Sequence, residues 1–337
     1  MTPLLLGLSA YTVAFAVFGP RLMHACELRQ RAAPRFGLVL WTALPTSWII
    51  AVLAVGLAAT AQLSGGLGLA GLLHACLRAV QVILGVHHPA DVPAAVALLG
   101  SLTILLRLGG VATRQAHHDR KQRRTHQRGV CGPMRTAHRA GQRVSIVDSP
   151  TPAAYCVPGR RSAIVLTTGA LWGLPPRQLD AVIAHEQAHL RGRHHLYVAW
   201  GSILAKAFPF IPLLRSAPHE LARLVEWLAD DYAGRRHGRH SVARAVATMA
   251  TGVPSPTSPR PDAALTATGS DVLDRVRRLI EPHTTARGAR WPVSTAITAP
   301  VLVLAAATAV LIPAATADPT PLCQDQQPPT HAQHTRT

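Results

Sequence analysis

Apolar residues in this chain gather into a few long runs, separated by stretches where they recur at helix or strand spacing or are absent. Four runs, residues 3–18, 37–63, 92–111 and 293–315, are nearly free of charge. A hydrocarbon layer of about 30 Å demands about 20 such residues of a helix, so each is expected to span a membrane. The first reads as a retained span: no Lys or Arg precedes it, and Gly19-Pro20-Arg21 offers no small-x-small cleavage pattern. A fifth run, 67–86, places His74 and Arg78 four residues apart on one helical face, which predicts an amphipathic helix at the interface.

The remaining pattern is that of a globular unit. Residues 112–143 are basic and His-rich with no apolar period, so a linker or solvated helix is expected there. The β-branched runs 144–147 and 163–168 predict strands. Pro175-Pro176 opens a helix whose stripe is Leu179, Val182, Ile183, Ala184 and Leu190, and Gly192 is its expected stop. Residues 197–214 are apolar but broken by Pro209 and Pro212, which suits a hydrophobic hairpin resting on the membrane. Ser216 and Pro218 fit the cap and first turn of a further helix ending near Ala233. A Pro-rich loop at 252–262, a short amphipathic helix at 271–280 and a Pro/Gln/Thr-rich tail from 318 complete the chain.

Composition agrees with the spans, since 48% of the 337 residues are hydrophobic and only 15% charged. The net charge of +18 is clustered, in Arg21, Arg29, Arg31 and Arg35 and again from Arg114 to Arg143. Three spans before residue 112 and an outside N-terminus put both clusters in the cytoplasm, as the positive-inside rule requires. The charge is therefore read as topology signal and attraction to lipid headgroups. Without aromatic interleaving or a recognition-helix motif, no nucleic-acid partner is expected. Cys26, Cys76, Cys131, Cys156 and Cys323 are odd in number and have no C-x-x-C spacing, so they predict neither a disulfide framework nor a thiolate zinc knuckle.

The chemistry lies in His185-Glu186-Gln187-Ala188-His189, an H-E-x-x-H inside the segment 176–191. Histidines four apart on a helix point to one side and can share a metal, while the adjacent Glu186 reaches a water bound beside it and can take its proton. A catalytic zinc takes three protein ligands. Glu226 is the better third ligand, because glutamate is scarce and this one stands among Leu, Val and Trp. Glu220 competes, although near a helix start a carboxylate is welcome for the dipole alone. Asp230, one turn after Glu226, is placed to accept a hydrogen bond from a ligand imidazole. His194, His195 and Arg275 are candidate oxyanion donors, and the strand 163–168 is a candidate edge for an extended substrate.

Glu-x-x-Ala-Asp downstream of H-E-x-x-H resembles the gluzincin membrane proteases, both the HtpX-like heat-shock proteases and the BlaR/MecR-type sensor peptidases. Arg223-x-x-Glu226-x-x-Ala229-Asp230-Asp231, a Pro-Gly before a strand, and three spans ahead of the catalytic domain with one behind favour the BlaR/MecR type. The resemblance implies one Zn2+ per chain held by His185, His189 and Glu226, with Glu186 as base and Asp230 as hydrogen-bond partner of His185. It implies a protein substrate that is cytoplasmic or membrane-adjacent, a winged-helix transcriptional repressor among the expectations, or the membrane-protein quality control of HtpX-like enzymes. His194 departs from the acidic residue common in the sensor peptidases, and the tail is too short for a penicillin-binding sensor domain. A non-catalytic metal-binding signalling scaffold is the alternative from another class; Glu186 beside the ligands argues against it.

The expected whole is an α-helical multi-pass protein of the cell membrane with a cytoplasmic α+β zincin, gluzincin-like metalloprotease domain. Its parts are a membrane domain (1–111), a basic linker (112–143), the protease domain (144–290), a C-terminal span (293–315) and an extracytoplasmic tail (316–337).

Overall fold

A computed structural model describes residues 2–64, 69–85, 92–129, 135–139, 141–158, 162–251 and 269–281. The apolar N-terminal runs form the helices α1 (Thr2–Ala25), α3 (Pro34–Ser64) and α5 (Val92–Gly129), with a short α2 (Glu27–Ala32) and the amphipathic α4 (Leu69–Ile83) between them. Among the described residues one segment, Pro34–Ala58 of α3, is long and apolar enough to cross a membrane, and more than half of it is buried within the molecule. One such helix accords with a membrane anchor but does not establish the multi-pass arrangement expected from residues 3–18, 37–63 and 92–111. Pro20 lies inside α1, and α5 runs from its apolar half straight into the basic residues. The span expected at 293–315, the tail at 316–337 and the loop at 252–262 lie outside the described residues.

A four-stranded sheet follows, with β1 (Arg135–Arg139), β2 (Gln142–Val147), β3 (Ala154–Val157) and β4 (Ala163–Thr167) in the order β1-β2-β4-β3. β2 and β4 run parallel, and β1 and β3 flank them antiparallel. Two readings change here. The basic stretch 112–143 is not one linker, because its first part continues α5 and Arg135–Arg139 pairs with β2. Arg-Thr-Ala-His-Arg has no apolar alternation to announce a strand; it is an edge whose ladder is made by its partner. β4 is paired on both sides, so the sheet's edges are β1 and β3, and β3 is the one beside Glu186. Ile164 and Leu166 of β4 meet Leu179 and Ile183 in one apolar cluster, which seats the sheet on the next helices.

Those helices are α6 (Thr168–Gly173), α7 (Pro176–Arg191), α8 (His194–Ala207), α9 (Pro212–His237), α10 (Arg239–Thr251) and α11 (Gly269–Ile280). α7 starts and stops as its Pro175-Pro176 and Gly192 predict. The apolar 197–214 is no surface hairpin: Leu204, Ala207, Phe208, Leu213 and Leu214 are buried, and Pro212 opens α9. Ser216 is not the cap of α9 either; its hydroxyl donates to the Leu213 carbonyl at 2.9 Å inside the helix. The helix runs through Pro218 because its face of Leu213, Leu214, Ala217, Leu221 and Leu224 is fully buried, each large side chain contributing on the order of 2 kcal/mol.

One core joins the N-terminal helices to this layer. Phe15, Trp41 and Trp48 share a cluster with Phe208, Leu213, Leu224 and Trp227. Gly37 makes the contact between α3 and α9 possible, since a Cβ there would lie 2.8 Å from the Leu224 side chain. Buried Gln30 accepts from the Trp41 indole at 3.0 Å and donates to the Met23 carbonyl at 3.2 Å, so its amide is satisfied at the α1–α2–α3 junction.

Candidate metal centre

Two helices carry the centre. α7 is wedged between the sheet cluster on one side and Ala233, Val242 and Ala243 of α9 and α10 on the other. Its remaining face therefore points along α9, and it carries His185 and His189, one turn apart. Packing of Leu221, Leu224, Val225 and Trp227 into the main core turns the opposite side of α9, with Glu226 and Asp230, towards α7.

The side chains converge. His185 Nε2 and His189 Nε2 are 3.1 Å apart, and each is 3.3 Å from an oxygen of Glu226. Metal–ligand bonds of about 2.0–2.1 Å at tetrahedral angles separate ligand atoms by roughly 3.3–3.4 Å. One ligand atom from each of the three residues lies within 4.8 Å of the others, so the donor set fits zinc in both chemistry and spacing. Glu220 is not part of this group; it pairs with Arg223 and His219.

Charge around the centre is balanced by a residue far along the chain. Asp230 Oδ1 lies 3.0 Å from His185 Nδ1. Arg275 of α11 donates to both Asp230 oxygens, at 2.7 and 2.8 Å, and its third nitrogen is 2.8 Å from Glu226 Oε2. Burial opposes ionisation of Asp230, but the Arg275 guanidinium and the His185 ring hold its carboxyl at about 2. Burial likewise opposes the Glu226 anion, and Arg275 and His189 overcome it, holding this carboxyl well below its ordinary value. Burial would lower the His185 imidazole, yet its hydrogen bonds to Asp230 and Glu226 raise it to about 10 in the metal-free chain.

His189 is backed differently. Its Nδ1 lies 2.9 Å from Nδ1 of His194, and the two rings meet edge to face with centroids 4.8 Å apart. Burial, then the neighbouring His189, pushes the His194 imidazole down to about 3, so it stays neutral; with His189 Nε2 on a metal, the remaining Nδ1–H of His189 would donate to His194 Nδ1. The two-residue turn between α7 and α8 sets this contact: Arg193 is left-handed at φ 49°, and a Cβ on Gly192 would sit 2.3 Å from His194 Nε2. Glu186, half-buried, faces β3, where burial and then the Glu186 carboxylate push the Cys156 thiol above its ordinary value.

The structure thus brings together His185, His189, Glu226 and Asp230, with Glu186 beside them. It moves two candidate oxyanion donors to other duties, Arg275 onto the carboxylates and His194 behind His189; His195 follows at the half-buried start of α8. Nothing local in the sequence couples Arg275 to Asp230 across 45 positions, although an Arg on the apolar side of a short amphipathic helix is the signal that was there to read.

Two helical histidines with an acid between them, completed by a carboxylate from a neighbouring helix, define a centre of the metallopeptidase kind. The comparisons agree. Residues 120–217 match the model of Peptidase family M48, a stretch that includes both histidines and ends before Glu226. The chain is 36% identical over 89 residues to a "Protease HtpX homolog" of Nostoc sp., covering 23% of this chain and 30% of that one. It is 31% identical over 159 residues to a "Protease HtpX homolog" of Acidiphilium cryptum, covering 42% of this chain and 52% of that one. A third "Protease HtpX homolog", from Moorella thermoacetica, is 36% identical over 72 residues, 20% of this chain and 24% of that one. The chain spans about half, or less, of the length of these relatives. No solved structure matches. The matches support a metallopeptidase related to family M48.

Proposed function

We propose that this chain is a zinc-dependent endopeptidase, anchored in the cell membrane through α3 with its catalytic layer on the cytoplasmic side, that cleaves proteins at or beside the bilayer. The observation that carries this reading is the convergence of His185 Nε2, His189 Nε2 and the Glu226 carboxylate at ligand-to-ligand distances, with Glu186 adjacent in sequence to the first ligand. Bound there, a zinc ion would lower the pKa of a coordinated water towards 7 and polarise a peptide carbonyl. The chain's own residues do the rest. Asp230 and His194 hold the outer nitrogens of the two imidazoles, leaving both Nε2 atoms to face the ion. A Glu186 carboxylate oxygen accepts the proton of the attacking water and delivers it to the nitrogen of the leaving amine. The edge strand β3, which carries Cys156 beside Glu186, offers a backbone against which an extended peptide pairs antiparallel.

The HtpX names among the relatives favour an enzyme acting on membrane-adjacent proteins in the manner of quality control. The signal-transducing cleavage of a repressor rests on the motif likeness alone. Substituting Glu186→Gln in the full chain, purified in detergent, tests the reading. One zinc per chain should be retained while casein cleavage falls by about 100-fold or more. Unchanged cleavage removes Glu186 from the mechanism, and loss of zinc from this variant makes it structural.

A further inference from the structure

We propose that the cavity beside the α2–α3 junction binds a phosphate-bearing anion, either the headgroup of an anionic phospholipid or a free phosphate. The cavity, about 680 Å3, lies between that junction, the last turn of α7, the start of α8 and the second half of α9. Its size falls within the roughly 300–1,000 Å3 of small-molecule sites.

The charge on its wall has one sign. Arg35, Arg191 and Arg235 line it, and the sole acid there is Asp231. Asp231 is already neutralised, because Arg278 grips both of its oxygens at 2.9 and 3.0 Å and Arg239 stands 3.9 Å away. Arg191 donates to the uncharged hydroxyl of Tyr232 at 3.0 Å, and among the described residues no carboxylate pairs with any of the three lining arginines. Three arginines lining one cavity with no carboxylate partner leave its wall positively charged, and an anion would complement that charge. Their planar forks match phosphate oxygens two at a time, which selects phosphate over a spherical anion.

Position says where such a ligand would come from. Arg35 is the second residue of α3, the helix able to cross a bilayer, so the cavity opens at the level where headgroups would surround that helix. The lipid source rests on the membrane reading above, whereas the phosphate chemistry does not. The inner wall includes His194, whose Nδ1 is 2.9 Å from that of His189, so an occupant would sit one side chain away from the metal centre.

The test is binding and not proteolysis, which keeps its outcome separate from the catalytic proposal. Full-length chain in a neutral detergent is titrated with short-chain phosphatidylglycerol, with dioctanoylglycerol as the phosphate-free control, and with inorganic phosphate. Native mass spectrometry and melting temperature are read. One phosphatidylglycerol per chain and a raised melting temperature are expected, dioctanoylglycerol having neither effect. R35Q/R235Q should weaken phosphatidylglycerol by at least about tenfold with zinc content unchanged; both side chains are exposed, and each single variant gives the same test in smaller measure. Inorganic phosphate binding as tightly as the lipid assigns the site to a free phosphate, and much weaker binding assigns it to the headgroup. Phosphatidylglycerol bound no better than dioctanoylglycerol, or bound equally well by R35Q/R235Q, overturns the proposal.

Discussion

The two imidazoles of the centre are held by opposite means. On the α9–α11 side, His185 leans on a carboxylate that is itself gripped by a buried arginine, so a chain of full charges stands behind it. On the side of the α7–α8 turn, His189 leans on a neutral imidazole fixed by a two-residue connection. The first arrangement needs residues from three helices and is strong because every charge has its partner; the second needs only local backbone geometry. The difference teaches that a ligand's orientation can be set by distant electrostatics or by a tight turn, and that the two should fail differently.

Substitutions can separate the two sides. The largest effect is expected from Glu226→Gln, which removes a ligand and also deprives Arg275 of a partner: zinc should be lost from the purified chain, with affinity falling by more than about 100-fold in competition with a chromophoric chelator. Stoichiometric zinc in that variant would remove Glu226 from the ligand set. Asp230→Asn leaves the ligands in place and should weaken zinc by about 10- to 100-fold in the same assay. If charge is what matters on this side, the isosteric amide does not rescue. His194→Ala should cost about tenfold, whereas His194→Asn, whose Oδ1 can stand in for the accepting Nδ1, should bind zinc nearly as the parent does. Equal losses in the two His194 variants would show that the ring's bulk matters and its hydrogen bond does not.

The smallest effect is one of pH on the metal-free chain. The His185 imidazole, raised to about 10, stabilises the fold fully below its unfolded value of about 6.5 and ceases to do so as pH climbs through 10. Asp230, lowered to about 2, stabilises above its unfolded value of about 3.9 and ceases as pH falls through 2. With chelator present, the melting temperature should therefore be highest from about pH 4 to 6.5 and decline by a few degrees on either side. A flat profile from pH 6.5 to 10 would mean that the His185–Asp230 contact does not stabilise the fold.

How much of this was legible in the chain varied with range. α7 was readable because its start, stop and stripe are local signals, and the H-E-x-x-H spacing is a property of any helix. Glu226 stood out through the scarcity of glutamate around it. What the sequence could not announce was tertiary: that Arg275 neutralises the site, that Arg135–Arg139 becomes a strand only because β2 lies beside it, and that 197–214 is apolar because it enters a core. α10 also passed unnoticed, as it buries only Val242, Ala243 and Ala245 and follows directly on Gly238, a residue with positive φ. The same ambiguity affects the spans, since a helix buried in protein and one buried in lipid share a composition.

Gly37, near the start of α3, touches Leu224, two residues before Glu226 on α9. Were α3 seated in a bilayer as proposed, this direct contact would tie the anchor to the helix that carries Glu226 and set the height of the edge above the lipid, like that of a plane's blade. Such an enzyme would select substrates by altitude as much as by sequence: a peptide bond must be brought down to the surface before it can be cut.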